Sequence, residues 1–194
     1  MVPQMAAARL PRSSPLPDIL YGNNQRSEPP AMTPADLHIR PALPSDEAFF
    51  LALYRSTRDD LLGLLADPRY IEGIIAMQQT MQVAGYRSSY PEAVYKVLEL
   101  DGVPLGRLVT AVVPGALRVV DIAVMPQARG QGVAGEALRR LQRQAAQGGR
   151  DVALAVRTDN PGARRLYAAL GFTVETEEAA RLELRWRPQL GERP

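Results

Sequence analysis

The chain has 194 residues and a formal net charge of +2, is 46% hydrophobic and 23% charged, and contains no cysteine. That length suits one domain with a real core, and the missing cysteines exclude disulfides, thiolate metal sites and a cysteine nucleophile. A single histidine without a ligand cluster points away from a metal, and no run approaches the ~18 apolar residues of a membrane helix or the apolar stretch of a signal peptide. The sequence therefore reads as a cytoplasmic protein without metal or membrane.

Residues 1–36 carry Pro3, Pro11, Pro15, Pro17, Pro29, Pro30 and Pro34 among serines and asparagines. Such a stretch buries too little apolar surface to offset its ordering entropy. A flexible leader is expected, with Ile19, Leu20 and Tyr21 able to dock on the domain and Met32 as an alternative start. Leu37–Arg40 predicts a first strand. Ser45 is placed to cap a helix that runs to about Arg58, with Asp46 and Glu47 in its first turn. Asp67-Pro68 opens a second helix with Ile71, Ile74, Ile75 and Met81 on one side and Gln78, Gln79 and Gln82 outside that stripe. Val94–Leu100, the turn Asp101-Gly102 and Leu105–Val113 predict a hairpin, and Pro114-Gly115 turns the chain into a strand over Leu117–Val124. The next helix buries Ala134, Ala137, Leu138, Leu141 and Ala145 and stops at Gly148-Gly149. Val152–Val156 is a continuous apolar run, as in a strand covered on both faces. Asn160 caps a helix that has Pro161 at its first position, and Phe172–Thr176 with Arg181–Trp186 form a closing hairpin. Residues 189–194 are a tail.

The most informative stretch is Gln127-Ala128-Arg129-Gly130-Gln131-Gly132-Val133-Ala134, between the Leu117–Val124 strand and the following helix. Glycines permit a tight turn, and the orphan N–H groups of a helix's first turn, aided by its dipole, bind phosphate. A nucleotide-hydrolysing P-loop needs Gly-Lys-Ser/Thr, which is absent; Lys96 is the only lysine. The bare G-x-G-x-x-G pattern matches at Gly130, Gly132 and Gly135. However, the acid expected at the end of the next strand is missing, because Asp151 precedes that run. An ordinary strand-to-helix turn remains the plain alternative. Arg139, Arg140 and Arg143 lack aromatic interleaving and read as a solvated helix face rather than a nucleic-acid site.

Gln127-x-x-Gly130-x-Gly132 resembles the first signature of the GNAT N-acetyltransferase superfamily, and Asn160-x-x-Ala163-x-x-x-Tyr167-x-x-x-Gly171-Phe172 resembles its second. The resemblance spans roughly residues 37–188. It implies an α/β (α+β) GNAT fold, a mixed, mostly antiparallel sheet of about seven strands flanked by about four helices. It also implies acetyl-CoA as co-substrate. The backbone of Ile122, Ala123 and Val124 would pair with the pantetheine arm, and the N–H groups of Arg129, Gly130, Gln131, Gly132, Val133 and Ala134 would hold the pyrophosphate. Asn160 would bond the pantetheine or a strand carbonyl. Tyr167 would sit by the thioester sulfur as acid, with a core tyrosine packed on Phe172 as the alternative. A backbone N–H near Val124 would stabilise the oxyanion.

The resemblance thins at the base. Positions where some members carry glutamate hold Arg118 and Ala155 here. Asp121, the only carboxylate of the central strand, is the remaining candidate, either as base or cation binder, or as a structural partner of Arg118 or Arg157. His38 is weaker, and Tyr70, Tyr86, Tyr90 and Tyr95 either wall the acceptor pocket or simply pack. The acceptor implied is a small-molecule or peptide amine. The oligomeric state is open, homodimers being common in the family. The competing readings are a non-catalytic acyl-CoA-binding or partner-binding module and a nucleotide- or nucleic-acid-binding protein using the glycine loop and arginines.

Overall fold

The computed structural model describes residues 36–189, so the expected leader, its Ile19–Tyr21 segment, Met32 and the last residues of the tail lie outside the described residues. The elements, in order, are β1 (His38–Pro41), α1 (Glu47–Arg55), α2 (Asp59–Leu62), α3 (Pro68–Ser89), β2 (Val94–Leu100), β3 (Val103–Val113), β4 (Ala116–Val124), α4 (Val133–Gln147), β5 (Asp151–Arg157), α5 (Pro161–Ala169), β6 (Thr173–Glu178) and β7 (Arg181–Trp186). The seven strands form one sheet in the order β1-β2-β3-β4-β5-β7-β6. Only β4 and β5 are parallel, and α4 joins them as a crossover. Among the described residues there are five α-helices against about four expected, the extra one being the four-residue α2, which carries too little periodicity to be read from sequence. No helix among the described residues is long and apolar enough to cross a membrane.

The sheet buries both faces. On one, Leu98, Leu108, Leu117, Val119, Val152 and Leu154 pack with Ala137, Leu138 and Leu141 of α4 and Tyr167 of α5. On the other, Leu53 of α1, Ile71 and Ile75 of α3, and Val97 and Val109 are buried apart from that cluster. Each fully buried Leu or Ile contributes about 2 kcal/mol. Ala134 of α4 is only half-buried, and Val133 takes its place in the core.

Local chemistry explains the element ends. Asp101 and Gly102 both adopt positive φ in the β2–β3 turn, the requirement of a two-residue hairpin loop. Asp67 accepts from the Arg69 N–H at 2.8 Å and caps α3. Ser45 does not cap α1. A 3-10 turn over Pro44–Asp46 precedes the helix, and Asp46 reaches back to the Leu43 N–H at 2.7 Å. Asp46 has this role because Arg40 holds its carboxylate bidentately, at 2.7 and 2.8 Å. The Arg40 hydrogen bonds, followed by that of Leu43, lower the Asp46 pKa from 3.8 to about 2. A depressed folded-state pKa stabilises above the unfolded value, and the stability is lost as pH falls through the folded one. D46N should therefore unfold at lower urea than the parent at neutral pH. The gap should close between pH 3.8 and about 2, and urea melts across that window check it; a gap independent of pH would refute the ion pair.

Candidate functional site

Two departures from a regular sheet build the site. The first is a bulge in β4: Thr110 pairs with Val119 and Val109 with Asp121, so Val120 is an extra residue. Residues three apart on a regular strand face opposite sides. The bulge resets the alternation, so Arg118 and Asp121 both face α3, beside Tyr90 and Tyr86 respectively. The second is a splay. The β4–β5 pairing ends at Val119 and Leu154, although the strands run on to Val124 and Arg157. The β5-facing edge of β4 beyond Val119 is therefore unpaired and lines an open cleft of about 640 Å³, with α3 and α5 as the other walls.

The glycine turn lies at the end of that strand. Gly130 and Gly132 have φ of 75° and 82°, conformations that side-chain-bearing residues reach only at a cost of about 1–2 kcal/mol. Gly132 precedes α4 without any side-chain cap, and the first helical N–H to find a carbonyl is that of Glu136, on Gly132 O. The N–H groups of Gly130, Gln131, Gly132, Val133 and Ala134 thus form an open nest of donors. The Arg129 N–H is not part of it, since it donates to Pro126 O at 3.2 Å. The Arg129 side chain folds back onto Val124 O at 3.0 Å. Ile122 and Ala123 extend along the free edge of β4, whose other edge stays paired with β3.

Tyr167 is buried, lines the cleft, and meets the Phe172 ring edge-on at 5.8 Å. Core packing therefore does not remove Tyr167 from the cleft wall. Burial, then the charge of Asp121, pushes its pKa up to about 12, which keeps the phenol a neutral donor. Asn160 spends Oδ1 capping α5 at the Ala163 N–H (3.0 Å) and is itself part of the cleft wall.

The ion pairs differ from those anticipated. Asp121 pairs with neither Arg118 nor Arg157 but with Arg107 of β3, whose Nε lies 2.9 Å from Oδ2; the Tyr86 hydroxyl is 3.4 Å from Oδ1. Arg118 instead holds Glu183 of β7 at 2.6 Å, and Arg157 holds Asp159 at 2.5 Å. Glu183 has no local signal in the sequence, because it meets Arg118 only once β7 is inserted beside β5, opposite Ala155. The expected glutamine placement also fails. Gln78, Gln79 and Gln82 are half-buried, with Gln78 on Arg58 and Gln82 on Arg107 at 3.2 Å, whereas Met81 is exposed. Of the tyrosines, Tyr86 and Tyr90 line the cleft, Tyr95 lines a different cavity, and Tyr70 is exposed. His38 is exposed on β1, paired with Glu99 at 2.8 Å, and does not line the cleft. Arg139, Arg140 and Arg143 all pair with Glu136.

The sheet order, the splay and the glycine turn define a GNAT-type acetyltransferase fold. Residues 50–172 match the model of the acetyltransferase (GNAT) family, and the chain belongs to that family. The fold is shared with the PaiA N-acetyltransferase from Thermoplasma acidophilum, solved with coenzyme A (14% identity, TM-score 0.61, 78% of this chain and 99% of that one). It is also shared with the ribosomal-protein-S18-alanine N-acetyltransferase from Escherichia coli (18%, 0.55, 78% and 93%). Mutant forms of the spermidine/spermine N-acetyltransferase SpeG from Vibrio cholerae are a third likeness (14%, 0.56, 79% and 94%). No curated protein matches the chain at a significant level.

Proposed function

We propose that residues 37–188 form an acetyl-CoA-dependent N-acetyltransferase that passes the acetyl group directly to a primary amine of a small molecule or peptide. The carrying observation is an unpaired β4 edge that shares one cleft with the neutral phenol of Tyr167 and runs on, at its C-terminal end, to the open N–H nest at Gly130–Ala134. The free edge at Ile122–Val124 suits the amides of pantetheine, by strand addition applied to a cofactor, and the nest suits the pyrophosphate. For Val124 O to take part, the Arg129 side chain must turn away from it.

In this reading the neutral amine attacks the thioester carbon, negative charge gathers on the carbonyl oxygen facing the free β4 edge, and the C–S bond breaks to release the thiolate. Full proton transfer from a phenol at about 12 to a thiolate in the ordinary range near 8.5 is uphill by about 5 kcal/mol. Tyr167 therefore acts first as a hydrogen-bond donor to the departing sulfur, with protonation completed by solvent. The attacking nitrogen loses its extra proton to Asp121 Oδ1, directly or through water, and from there to solvent, while Oδ2 is tied to Arg107. Positioning carries most of the rate. A binding module without turnover is the second reading, favoured by the arginine pairing of both Asp121 and Glu183.

Calorimetric titration with acetyl-CoA tests the cofactor, and thiol release across an amine panel tests turnover. Binding with turnover is expected; binding without turnover on every amine selects the second reading, and no binding at about 1 mM sinks both, given the ordinary range of enzyme affinities. Y167F should lower kcat at least about tenfold, as for loss of a transition-state donor, with acetyl-CoA affinity little changed. An unchanged kcat would remove Tyr167 from the chemistry.

A further inference from the structure

A second cavity, of about 860 Å³, lies between α1, α3 and the β2–β3 floor. It is distinct from the catalytic cleft because α3 stands between them: Gln82, Tyr86 and Ser89 face the cleft, whereas Gln79, Val83 and Arg87 face the cavity. At 100° per residue the two sets centre about 90° apart, on adjacent flanks of the helix. The size falls within the range of small-molecule sites.

The walls are apolar at Leu43, Phe50 and Val83, and the polar floor consists of donors. The Tyr95 hydroxyl is buried and has no hydrogen-bond partner among the described residues, a state that costs about 1–3 kcal/mol unless a ligand or water relieves it. Burial pushes its pKa up, opposed by the nearby charges of Arg107 and Arg87. Arg107 spends Nε and Nη2 on Asp121 and Gln82, lays its guanidinium 5.7 Å from the Phe50 ring centre, and leaves Nη1 uncommitted. Arg87 is exposed on the same wall, and Glu47 is the one acid among the lining residues.

We infer that this cavity is a second ligand site, for a small carboxylate with an apolar body, whose head group bonds the Tyr95 hydroxyl and Arg107 while its body lies against Phe50 and Val83. A carboxylate satisfies both donors at once, and its bond to a guanidinium is charge-assisted. Because Arg107 also holds Asp121, ligand and Asp121 share one cation, and occupancy of the cavity is felt in the catalytic cleft.

Titration of the full chain with phenylbutyrate and its neutral amide, each with acetyl-CoA saturating, tests the inference. The carboxylate should bind at least about tenfold more tightly than the amide, the gain expected of a charged hydrogen bond. Y95F should weaken phenylbutyrate about fivefold, the worth of one hydrogen bond. D121N, which frees Arg107, should tighten it. Equal binding of the amide, displacement by acetyl-CoA, no binding at about 10 mM, or a Kd unmoved in both variants would each overturn the site. Acetyl-CoA affinity, read in the same samples, reports the catalytic cleft independently.

Discussion

Replacement of Gly106 by alanine is expected to damage both the stability of the domain and its hold on acetyl-CoA. Gly106 sits on β3 between Leu98 of β2 and Val124 of β4. A Cβ there would lie 2.6 Å from the carbonyl oxygen of Ala123, 3.2 Å from Leu98 Cδ1 and 3.4 Å from Val124 Cγ2. The leucine can rotate, but a backbone carbonyl within a paired strand cannot, so β4 itself must move. Overpacking of this kind costs about 1–3 kcal/mol, which outweighs the roughly 0.4–1 kcal/mol gained by restricting the unfolded chain. The displaced segment, Ala123 and Val124, is the one proposed to pair with the pantetheine. Urea unfolding should show a lower midpoint, and calorimetry an acetyl-CoA Kd weaker by about tenfold, equivalent to about 1.4 kcal/mol. Adding L98A should not rescue either property, because it relieves only the side-chain contact. A G106A protein with the parent's midpoint and Kd would mean that β4 yields without cost and that its edge does not position the cofactor.

The same strand shows why some of this site was legible in the sequence and some was not. The apolar run, the two glycines and the Asn160 cap are local signals, each decided by a few neighbouring residues, and all of them fold as read. The bulge at Val120 has no local signature. It arises from how β3 and β4 fit, and without it strand alternation puts Asp121 on the face opposite Arg118. The partner of Asp121 was missed for the same reason: Arg107 lies 14 residues away on a strand whose register sets the pair. Glu183, 65 residues from Arg118, depends on β7 inserting between β5 and β6. The glutamines of α3 were misread because amphipathic patterning assumes an apolar core beneath a helix. The second half of α3 lies instead over the polar floor made by Arg107 and Asp121.

That floor is where a single change should cost most. Arg107 has 3% of its surface exposed and is the ion-pair partner of Asp121, whose side chain is 17% exposed. Removing one member of a buried pair leaves the other's charge uncompensated and typically costs about 3–5 kcal/mol. R107M keeps the aliphatic stem and the packing on Phe50 but strands the Asp121 carboxylate, with only Tyr86 at 3.4 Å, and frees Gln82 from its bond. A loss near the lower end of that range is expected, because Asp121 keeps some water, and against a typical total of about 5–15 kcal/mol the variant should still fold. The double variant R107M/D121N should recover a substantial part of the loss, since it removes the uncompensated charge as well as the pair. Urea denaturation of the parent, both single variants and the double closes the cycle. Strict additivity of the two single losses would show that Arg107 and Asp121 do not interact, and would detach the cavity floor from the cleft beside β4.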